Sequence, residues 1–414
     1  MAAQPEISSL VYDWNAPEPR APQRRVALLD DTLRDGLQST AVRQPTLDER
    51  SELLVAMRRA GIDAVNLGLP AVSFGAASAI VRLAKEAAAL GLGVVCAGRT
   101  LEADMRAIVE VAEQSGVALE GHAFVGASAI RAKVEGWELG VLQARTASAI
   151  GTLARAGLSA AFVTEDTTRS QPEALRVLFA TALDAGATRL CLCDTVGHAT
   201  PAGVRRLVGF TRAFLESRRQ NVALDWHGHA DRGLALANAL AALAAGVDRI
   251  HGTALGVGER AGNTPLELFA LNLSLDGAWP EDLTPIAEYC QRAAALLGVE
   301  IPANHPLVGA GAFRTATGVH AAAIRKAERQ AAWLSERVYG AVPSSAVGRT
   351  QEVCIGPMSG RANVEHWLSL RGLSLDEALI QRLLLCARAS DHVLEDAEVL
   401  EILARERANT AEER

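Results

Sequence analysis

The segment Asn221-Val-Ala-Leu-Asp-Trp-His-Gly-His229 joins a turn residue, an apolar run and a polar end. Asn221 tolerates the left-handed conformation that ends many helices. The run 222–226 is typical of a buried strand. Residues i and i+2 of a strand point to the same face, so His227 and His229 would project side by side. The segment therefore predicts a buried strand that follows a helix and ends in two adjacent imidazoles.

The same succession recurs along the chain, with a glycine in the turn position. Each of six glycines follows an amphipathic stretch and precedes a short apolar run, as expected for a helix end leading into a buried strand. They are Gly61, Gly91, Gly116, Gly157, Gly186 and Gly246. One helix start agrees, because Thr46-Leu-Asp-Glu49 has the pattern of a capping box. Eight strands are predicted, near 26–33, 64–69, 93–97, 119–125, 159–164, 189–194, 222–227 and 249–255.

Strands that alternate with helices predict an α/β fold with a parallel sheet, and eight such units predict a (β/α)8 TIM barrel. An open doubly wound sheet is the alternative, but no G-x-G-x-x-G follows the first predicted strand. Beyond about residue 280 the alternation gives way to helical periodicity. We therefore expect an N-terminal arm at 1–24, a catalytic barrel at 25–280 and a mainly helical appended region at 281–414.

Composition excludes several classes of partner. The 414 residues carry 41 Lys and Arg against 48 Asp and Glu, a net charge of −7 that disfavours nucleic acid and anionic membranes. No apolar stretch is long enough for a membrane span, and no secretory signal pattern opens the chain. Six scattered cysteines favour reduced thiols. A cytoplasmic protein with small-molecule partners is expected.

Polar residues follow several of the predicted strands. Asp35 lies in the stretch 30–38 after the first strand, the histidine pair ends the seventh, and the stretch 256–263 follows the eighth. In a barrel these positions meet at the C-terminal rim, where barrel enzymes carry their chemistry. A carboxylate and two neutral imidazoles can share a metal ion. The sequence predicts a cation site with mixed nitrogen and oxygen ligands.

Five ordered motifs resemble the DRE-TIM metallolyase superfamily and are most similar to its 2-isopropylmalate and homocitrate synthases. They are Asp31-Thr-Leu-Arg-Asp-Gly-Leu-Gln38, Glu165-Asp-Thr-Thr-Arg-Ser170, Asp194-Thr-Val-Gly197, His227-Gly-His229 and Gly258-Glu-Arg-Ala-Gly-Asn263. The resemblance continues in 317–320, 339–349 and 356–361 and covers roughly residues 26–362. It implies a Claisen-type condensation of acetyl-CoA with a 2-oxo acid, followed by hydrolysis of the thioester.

The chemistry of the candidate metal ligands suggests a role for each of them, in addition to what the resemblance implies. Asp35, His227 and His229 would hold a divalent cation, with Asn263 as a fourth ligand. Open positions on the cation would bind the carboxylate and keto oxygen of the 2-oxo acid and polarise its carbonyl. Oxygen ligands favour Mg²⁺ or Mn²⁺, and the two imidazoles leave Zn²⁺ as the alternative.

Further residues would bind substrate or act in catalysis. Arg34 would be a fixed cation beside the oxygen that gains charge during condensation. Thr195 would donate to the carboxylate of the oxo acid, and Gln38 would also contact substrate. Glu165, at the end of the fifth predicted strand, would remove a proton from the acetyl methyl group.

Two catalytic candidates lie in the appended region. His320 and Tyr339 match residues of the resembling enzymes that reach into the neighbouring subunit's barrel, which implies a homodimer. Either this pair or Glu165 would serve as the base.

The chain also departs from the family pattern. Ala230 follows His229 at the position where the family's H-x-H-N-D motif has asparagine. Leu37 follows Arg-Asp-Gly as in hydroxymethylglutaryl-CoA lyases, so a retro-Claisen lyase is an alternative. However, no Gly-Gly-Cys-Pro-like loop supplies a lyase's mobile cysteine, and a synthase is favoured. A non-catalytic descendant is disfavoured because the ligand and base candidates are all present.

Arg131, after the fourth predicted strand, bears on the choice of 2-oxo acid. If it faces the pocket, it would pair with a second carboxylate and favour 2-oxoglutarate, as in homocitrate synthases. If it faces solvent, the pocket is apolar and suits 2-oxoisovalerate. The overall pattern favours the second reading, an isopropylmalate-type synthase.

Overall fold

In the computed structural model, eight strands form a closed parallel barrel in chain order. The structure describes residues 25–412 together with residues 10, 11 and 14, so most of the predicted arm at 1–24 lies outside the described residues. The strands are β1 (Ala27–Asp30), β2 (Ala64–Asn66), β3 (Gly93–Arg99), β4 (Glu120–Gly126), β5 (Ser159–Glu165), β6 (Arg189–Asp194), β7 (Ala223–Gly228) and β8 (Arg249–Gly252). The pairing of β1 with β8 closes the barrel, and the predicted fold is confirmed.

Helices alternate with the strands. The barrel helices are α1 (Leu47–Arg59), α2 (Phe74–Ala89), α3 (Glu102–Ser115), α4 (Ala129–Glu135), α5 (Leu139–Arg155), α6 (Pro172–Asp184), α7 (Pro201–Ser217), α8 (Ala235–Ala244) and α9 (Leu266–Leu275). Two of them, α4 and α5, share the connection after β4. The helices that follow are α10 (Thr284–Leu297), α11 (Gly318–Glu328), α12 (Ala332–Arg337), α13 (Arg361–Leu370), α14 (Glu377–Ala389) and α15 (Asp396–Glu412).

The turn and cap signals have the expected geometry, with one exception. All six glycines of the repeat have positive φ. Thr46 and Glu49 form the predicted capping box at the start of α1. Before β7, however, Arg219 adopts the left-handed conformation at φ 54°, and Asn221 does not. Helix α7 ends at Ser217, so the turn comes two residues earlier than the asparagine indicates.

Side chains of β7 alternate between the two sides of the barrel wall. Leu224 and Trp226 are fully buried in the main hydrophobic core. Asp225 bonds instead to residues of β6 and β8, and His227 bonds to Asp31 in the turn after β1. A period of two separates the sides of a strand, so the histidine pair points toward the barrel axis.

The first appended helix is part of the barrel's core. Helix α10 packs on α1, and its buried face joins the same apolar cluster as the strands. The hydroxyl of the fully buried Tyr289 donates to Asp30 and lies 3.1 Å from the Thr32 hydroxyl. Helices α13, α14 and α15 enclose a second, separate cluster around Val364, Leu383 and Val399. The domain boundary at residue 280 stays a prediction.

Two further expectations from composition can be compared with the structure. All six cysteines fall within the described residues and are free thiols. In the part of the chain that the structure describes, none of the helices combines the length and apolar character needed to cross a bilayer.

Candidate active site

A cavity of about 260 Å³ opens among the C-terminal ends of the barrel strands. Most of its lining residues come from the inward faces of the strands and the turns after them. They are Arg34, Asp35, Gln38, Asn66, Leu69, Ala97, His122, Phe124, Val163, Glu165, Cys191, Cys193, Thr195, His227, His229, His251, Glu259 and Arg260. The location agrees with the rim at which barrel enzymes carry their chemistry.

Three side chains predicted as metal ligands converge in this cavity. The Asp35 Oδ2 atom lies 3.2 Å from Nε2 of His227 and 3.4 Å from Nε2 of His229. The two Nε2 atoms are 3.3 Å apart. All three residues are buried.

The size of this triangle fits a bound cation. Around an ion held at about 2.1 Å, ligand atoms lie about 3.0 Å apart at right angles and about 3.4 Å apart in a tetrahedron. One carboxylate oxygen and two imidazole nitrogens suit Mn²⁺, Zn²⁺ or Mg²⁺. The residues present therefore fit a divalent metal.

Asn263, the fourth ligand candidate, lies beside the triangle. Its Nδ2 atom donates to Asp35 Oδ2 at 2.9 Å, and its buried Oδ1 atom has no hydrogen-bond partner among the described residues. A half-turn of the amide would exchange these atoms and place an oxygen beside Asp35, as a metal ligand requires.

Asp31 supports the site from behind, a role that the sequence did not indicate. Its Oδ2 atom is 3.2 Å from Nδ1 of His227, so the far side of that imidazole is held by a carboxylate. The Arg34 guanidinium bonds to Asp31 at 3.1 Å and lies 3.5 Å from Asp35. Burial alone would raise the pKa of Asp31, but Arg34 and His227 outweigh it and hold that pKa well below its ordinary value. Asp31 is thus an anion that orients a ligand.

Charged side chains fill the barrel below the metal triangle. Asp225 bonds to Arg189 at 2.6 Å, to Arg249 at 2.6 Å and to His251 at 2.9 Å. Arg249 also pairs with Glu120 of β4. Burial lowers the pKa of His251 to about 4, so its imidazole at the cavity floor is neutral. His251 lies in the predicted eighth strand, and the structure places it in the cavity.

Glu165 projects into the cavity from the end of β5. Among the described residues its carboxylate has neither a hydrogen-bond nor an ion-pair partner, so both oxygens are available. Burial raises the pKa of Glu165 above its ordinary value, although the positive charges of Arg131 and Arg34 act in the opposite direction. An unpaired carboxylate with a raised pKa is suited to accept a proton.

Thr195 and Gln38, the predicted substrate-binding residues, also line the cavity. The Thr195 hydroxyl accepts a hydrogen bond of 2.8 Å from the backbone N–H of Asp166, so its own hydrogen remains free to donate to substrate. Arg260 bonds to the carbonyl of Thr195 and, at 2.8 Å, to Asp231. It thereby joins the turns after β6, β7 and β8. Arg260 belongs to the Gly-Glu-Arg-Ala-Gly-Asn motif, but the motif alone does not indicate these contacts.

His122 and Asn66 are cavity residues that sequence reasoning missed. His122 lies 2.7 Å from Glu120, two residues earlier in the same strand. The available signal was its position in the predicted fourth strand, where alternation could have placed it on the inner face.

The structure does not bring Arg131 into the cavity. The guanidinium pairs with Glu135 one turn along α4 at 3.2 Å and lies 5.9 Å from the centre of the Trp137 ring. About half of the side chain is exposed. Its positive charge still reaches Glu165.

His320 and Tyr339 are brought together, but away from the cavity of their own chain. Their rings stack with centroids 3.8 Å apart, and the Thr315 hydroxyl lies 3.4 Å from Nδ1 of His320. Neither residue lines the cavity, and Tyr339 is 48% exposed.

The family model described as HMGL-like matches residues 25–291, and the chain belongs to this family. Among curated proteins, the chain is 31% identical to a homocitrate synthase, AksA, of Methanopyrus kandleri, over 92% of this chain and 90% of that protein. It is also 31% identical to a 2-isopropylmalate synthase of Pyrococcus furiosus, over 87% of this chain and 71% of that protein. The resemblance to the metallolyase synthases is thus confirmed.

Solved structures show the same fold. The hydroxymethylglutaryl-CoA lyase of Pseudomonas aeruginosa superposes with a TM-score of 0.55 at 22% identity, over 67% of this chain and 95% of that chain. The HMG-CoA lyase of Brucella melitensis gives a TM-score of 0.53 at 19% identity, over 66% of this chain and 99% of that chain. At this level of identity the likeness establishes the fold alone.

Proposed function

We propose that the protein catalyses the condensation of acetyl-CoA with a 2-oxo acid and then hydrolyses the thioester. The single observation that carries this proposal is the triangle of Asp35, His227 and His229 facing the unpaired carboxylate of Glu165 across one cavity. Relatives named as 2-isopropylmalate and homocitrate synthases support the same reaction class.

Asp35, His227, His229 and Asn263 would hold a divalent cation, with Mg²⁺ or Mn²⁺ preferred and Zn²⁺ as the alternative. When bound, the cation supplies Lewis-acid polarisation of the keto group. Asp31 keeps the His227 imidazole in the tautomer whose Nε2 lone pair faces the site.

The remaining steps depend on the side chains of the cavity. Glu165 removes a proton from the acetyl methyl group, and the resulting carbanion attacks the keto carbon of the oxo acid. Arg34 stabilises the negative charge that develops on the keto oxygen. Thr195 donates its hydroxyl hydrogen to the substrate carboxylate, and Gln38, which lines the same cavity, also contacts substrate.

We propose that the preferred substrate is a 2-oxo monoacid with a small apolar side chain, such as 2-oxoisovalerate. Leu69, Ala97, Phe124 and Val163 give the cavity its apolar lining. A second substrate carboxylate would need an unpaired cation there. Both arginines of the lining are already paired: Arg34 with Asp31 and Asp35, and Arg260 with Asp231 and Glu259.

Release of CoA from acetyl-CoA should be measured with a panel of 2-oxo acids. We expect turnover with 2-oxoisovalerate, which chelator or Asp35→Ala abolishes while the barrel stays folded, because rim ligands contribute little to the core. No CoA release with any oxo acid of the panel would contradict the proposal.

Arg131→Ala distinguishes the two acceptor classes. For a monoacid enzyme we expect a modest effect on kcat/KM. A wild type that uses 2-oxoglutarate far better than 2-oxoisovalerate, and loses roughly 10²-fold in the variant, would instead establish a homocitrate-type synthase.

A further inference from the structure

Two cysteines of β6 lie in the wall of the catalytic cavity and have no part in the proposed reaction. Cys191 and Cys193 are two residues apart in the strand, so their side chains project to the same face. The alternate residues Leu190 and Leu192 belong to the hydrophobic core on the other side of the strand. Both thiols line the cavity, both are free, and their Sγ atoms are 3.9 Å apart. A small ligand that enters the cavity can therefore reach two thiols held side by side.

His251 of β8 brings a nitrogen atom to the same place. Its Nδ1 atom lies 4.0 Å from Sγ of Cys191. Its Nε2 atom lies 2.9 Å from Oδ2 of Asp225, a carboxylate that can only accept, so Nε2 carries the ring hydrogen. The low pKa of His251 keeps the imidazole neutral, and Nδ1 therefore has a lone pair to offer. A carboxylate on the far nitrogen is the usual support of a metal-binding histidine.

The distances between these atoms fit a thiophilic metal ion. Around a zinc ion with Zn–S bonds of about 2.3 Å and a Zn–N bond of about 2.1 Å, tetrahedral geometry separates two sulfurs by about 3.8 Å and a sulfur from a nitrogen by about 3.6 Å. The observed separations are 3.9 Å between the two Sγ atoms and 4.0 Å between Sγ of Cys191 and Nδ1 of His251. Cys191 thus lies, to within about 0.4 Å, at the distance from each partner that a shared ion requires.

The charge balance of this group favours a divalent ion. Burial raises the pKa of Cys191, so its free thiol is protonated, but a thiol that coordinates a metal ion loses its proton. When one divalent ion binds and two protons leave the two sulfurs, the net charge of the buried group does not change. No unpaired charge is therefore added beside Asp225, which is already paired with Arg189 and Arg249.

This ligand set differs in kind from the metal triangle. The triangle offers one carboxylate oxygen and two imidazole nitrogens, a set that accepts Mg²⁺ or Mn²⁺. Two sulfurs and one nitrogen select Zn²⁺, Cd²⁺ or another thiophilic ion instead. The two groups are neighbours, because the Asp31 carboxylate lies 3.2 Å from Nδ1 of His227 and 3.7 Å from Nδ1 of His251. An ion held by the sulfurs would therefore share the cavity with the one held by the triangle.

We propose that Cys191, Cys193 and His251 form a second metal site, the thiol site, which binds a thiophilic divalent cation such as Zn²⁺ and thereby inhibits the enzyme. The two thiols release their protons to solvent, and both sulfurs bond to the ion. These residues line the same cavity of about 260 Å³ that has to hold the oxo acid and the acetyl group, so a bound ion occupies space that the substrates need. The inhibition, unlike the binding itself, rests on the proposed condensation activity.

Cd²⁺ is the probe, because its bonds to thiolates absorb ultraviolet light. In saturating Mg²⁺, which fills the triangle, the wild type should bind one Cd²⁺ with this absorption. The Cys191→Ser/Cys193→Ser double variant should lack the absorption and bind Cd²⁺ about 100-fold or more weakly. Each single variant should keep about half of the absorption, because one thiolate remains. Cys96→Ser, at a buried strand thiol outside the cavity lining, is the matched control and should bind as the wild type does.

Asp35→Ala separates the thiol site from the triangle. It removes the carboxylate of the triangle but neither sulfur, so its Cd²⁺ absorption should equal that of the wild type even without Mg²⁺. In condensation assays with saturating Mg²⁺, Cd²⁺ should inhibit the wild type and an added dithiol should restore its rate, whereas the double variant should keep its own rate.

The outcomes distinguish the thiol site from the proposed reaction. Thiolate absorption by Cd²⁺ without condensation in any sample would contradict the proposed reaction and leave the thiol site standing. Absorption that persists in a folded double variant, or none in the wild type, would overturn the thiol site. Binding that leaves the rate of the wild type unchanged would overturn the inhibition.

Discussion

At the scale of single residues, Asp31 contacts one of the three proposed metal ligands, His227. Its buried carboxylate holds Nδ1 of His227 at 3.2 Å, and Arg34 neutralises part of its charge. A carboxylate on the outer nitrogen fixes the ring orientation and makes the inner nitrogen a better ligand. Asp31 acts through His227 and is therefore a positioning residue.

Asp31→Asn should weaken metal binding while leaving the metal-saturated rate close to that of the wild type. Loss of such a supporting carboxylate typically lowers the affinity for the metal by about 10- to 100-fold. We expect a decrease in this range. The measurement is activity as a function of free Mn²⁺ or Mg²⁺ after chelator treatment. Asp48→Asn, at an exposed ion pair with Arg82, is the control. Identical metal dependence in wild type and Asp31→Asn would show that the orientation of His227 does not depend on this carboxylate.

Glu165→Gln should lower kcat by about 10²- to 10⁴-fold, the usual contribution of a general base. Because burial raises the pKa of Glu165, the wild-type rate should fall on acidification at a higher pH than for an ordinary glutamate. The base must be deprotonated, so activity is lost as pH drops through that pKa, and the variant should lack this limb. Deuterium exchange into the acetyl methyl group reports the step directly. Exchange at the wild-type rate in the variant would assign the base to the His320–Tyr339 pair.

At the scale of elements, the inner faces of β4, β6, β7 and β8 meet in a layer of opposite charges. Asp225 of β7 bonds to arginines on both neighbouring strands, Arg189 of β6 and Arg249 of β8. Glu120 of β4 pairs with Arg249 across the barrel. This layer forms the floor beneath the metal triangle, and each charge in it is paired.

Asp225→Ala should reduce the free energy of unfolding by about 3–5 kcal/mol, because it leaves Arg189 and Arg249 to share the single carboxylate of Glu120 in the barrel interior. Glu102→Ala removes the exposed partner of Arg106 one turn away on α3 and should cost less than about 1 kcal/mol. Both values follow from urea unfolding monitored by fluorescence. Equal losses in the two variants would mean that the charged floor contributes no more to stability than a surface pair.

The strands could be predicted because each turn signal and apolar run is local. All eight strands begin and end within three residues of the predicted bounds. The convergence of Asp35, His227 and His229 could be predicted from the spacing of the two histidines and the shared rim of the barrel. In contrast, the bonds between Asp225 and Arg249, or Tyr289 and Asp30, join residues far apart in the chain. Alternation shows that a side chain faces inward, but not which charge it meets there.

The position of Arg131 could not be predicted for a related reason. It lies in the first turn of the short helix α4, and its guanidinium approaches both Glu135 and Trp137 in the same β4–α5 connection. The sequence left the inward and outward orientations of Arg131 open, and only the overall pattern favoured the outward one.

At the scale of the whole molecule, neither His320 nor Tyr339 lines the catalytic cavity of the chain that carries it. Val319, next to His320 in the chain, and Met358, whose carbonyl accepts a hydrogen bond from the Gly318 N–H, are 68% and 75% exposed. Large apolar side chains exposed close together are typical of protein–protein contact sites. We propose that this surface faces the catalytic cavity of a second copy, so that each active site of a homodimer uses both chains.

Mixing two inactive variants tests this arrangement. His320→Ala should abolish condensation in a homodimer because neither cavity receives an intact partner histidine, and Asp35→Ala should do so because neither cavity holds metal. A mixed dimer has one cavity with its own Asp35 and an intact His320 from the other chain. After full exchange at equal amounts, half of the dimers are mixed, and the activity should recover to about a quarter of wild type.

Mixing His320→Ala with Tyr339→Phe is the comparison. If both residues serve the cavity of the partner, each cavity of a mixed dimer lacks one of them, and activity should not recover. Recovery in this mixture would mean that the two residues act in different cavities. Verified exchange without any recovery of the Asp35→Ala mixture would place His320 within its own subunit or outside the mechanism.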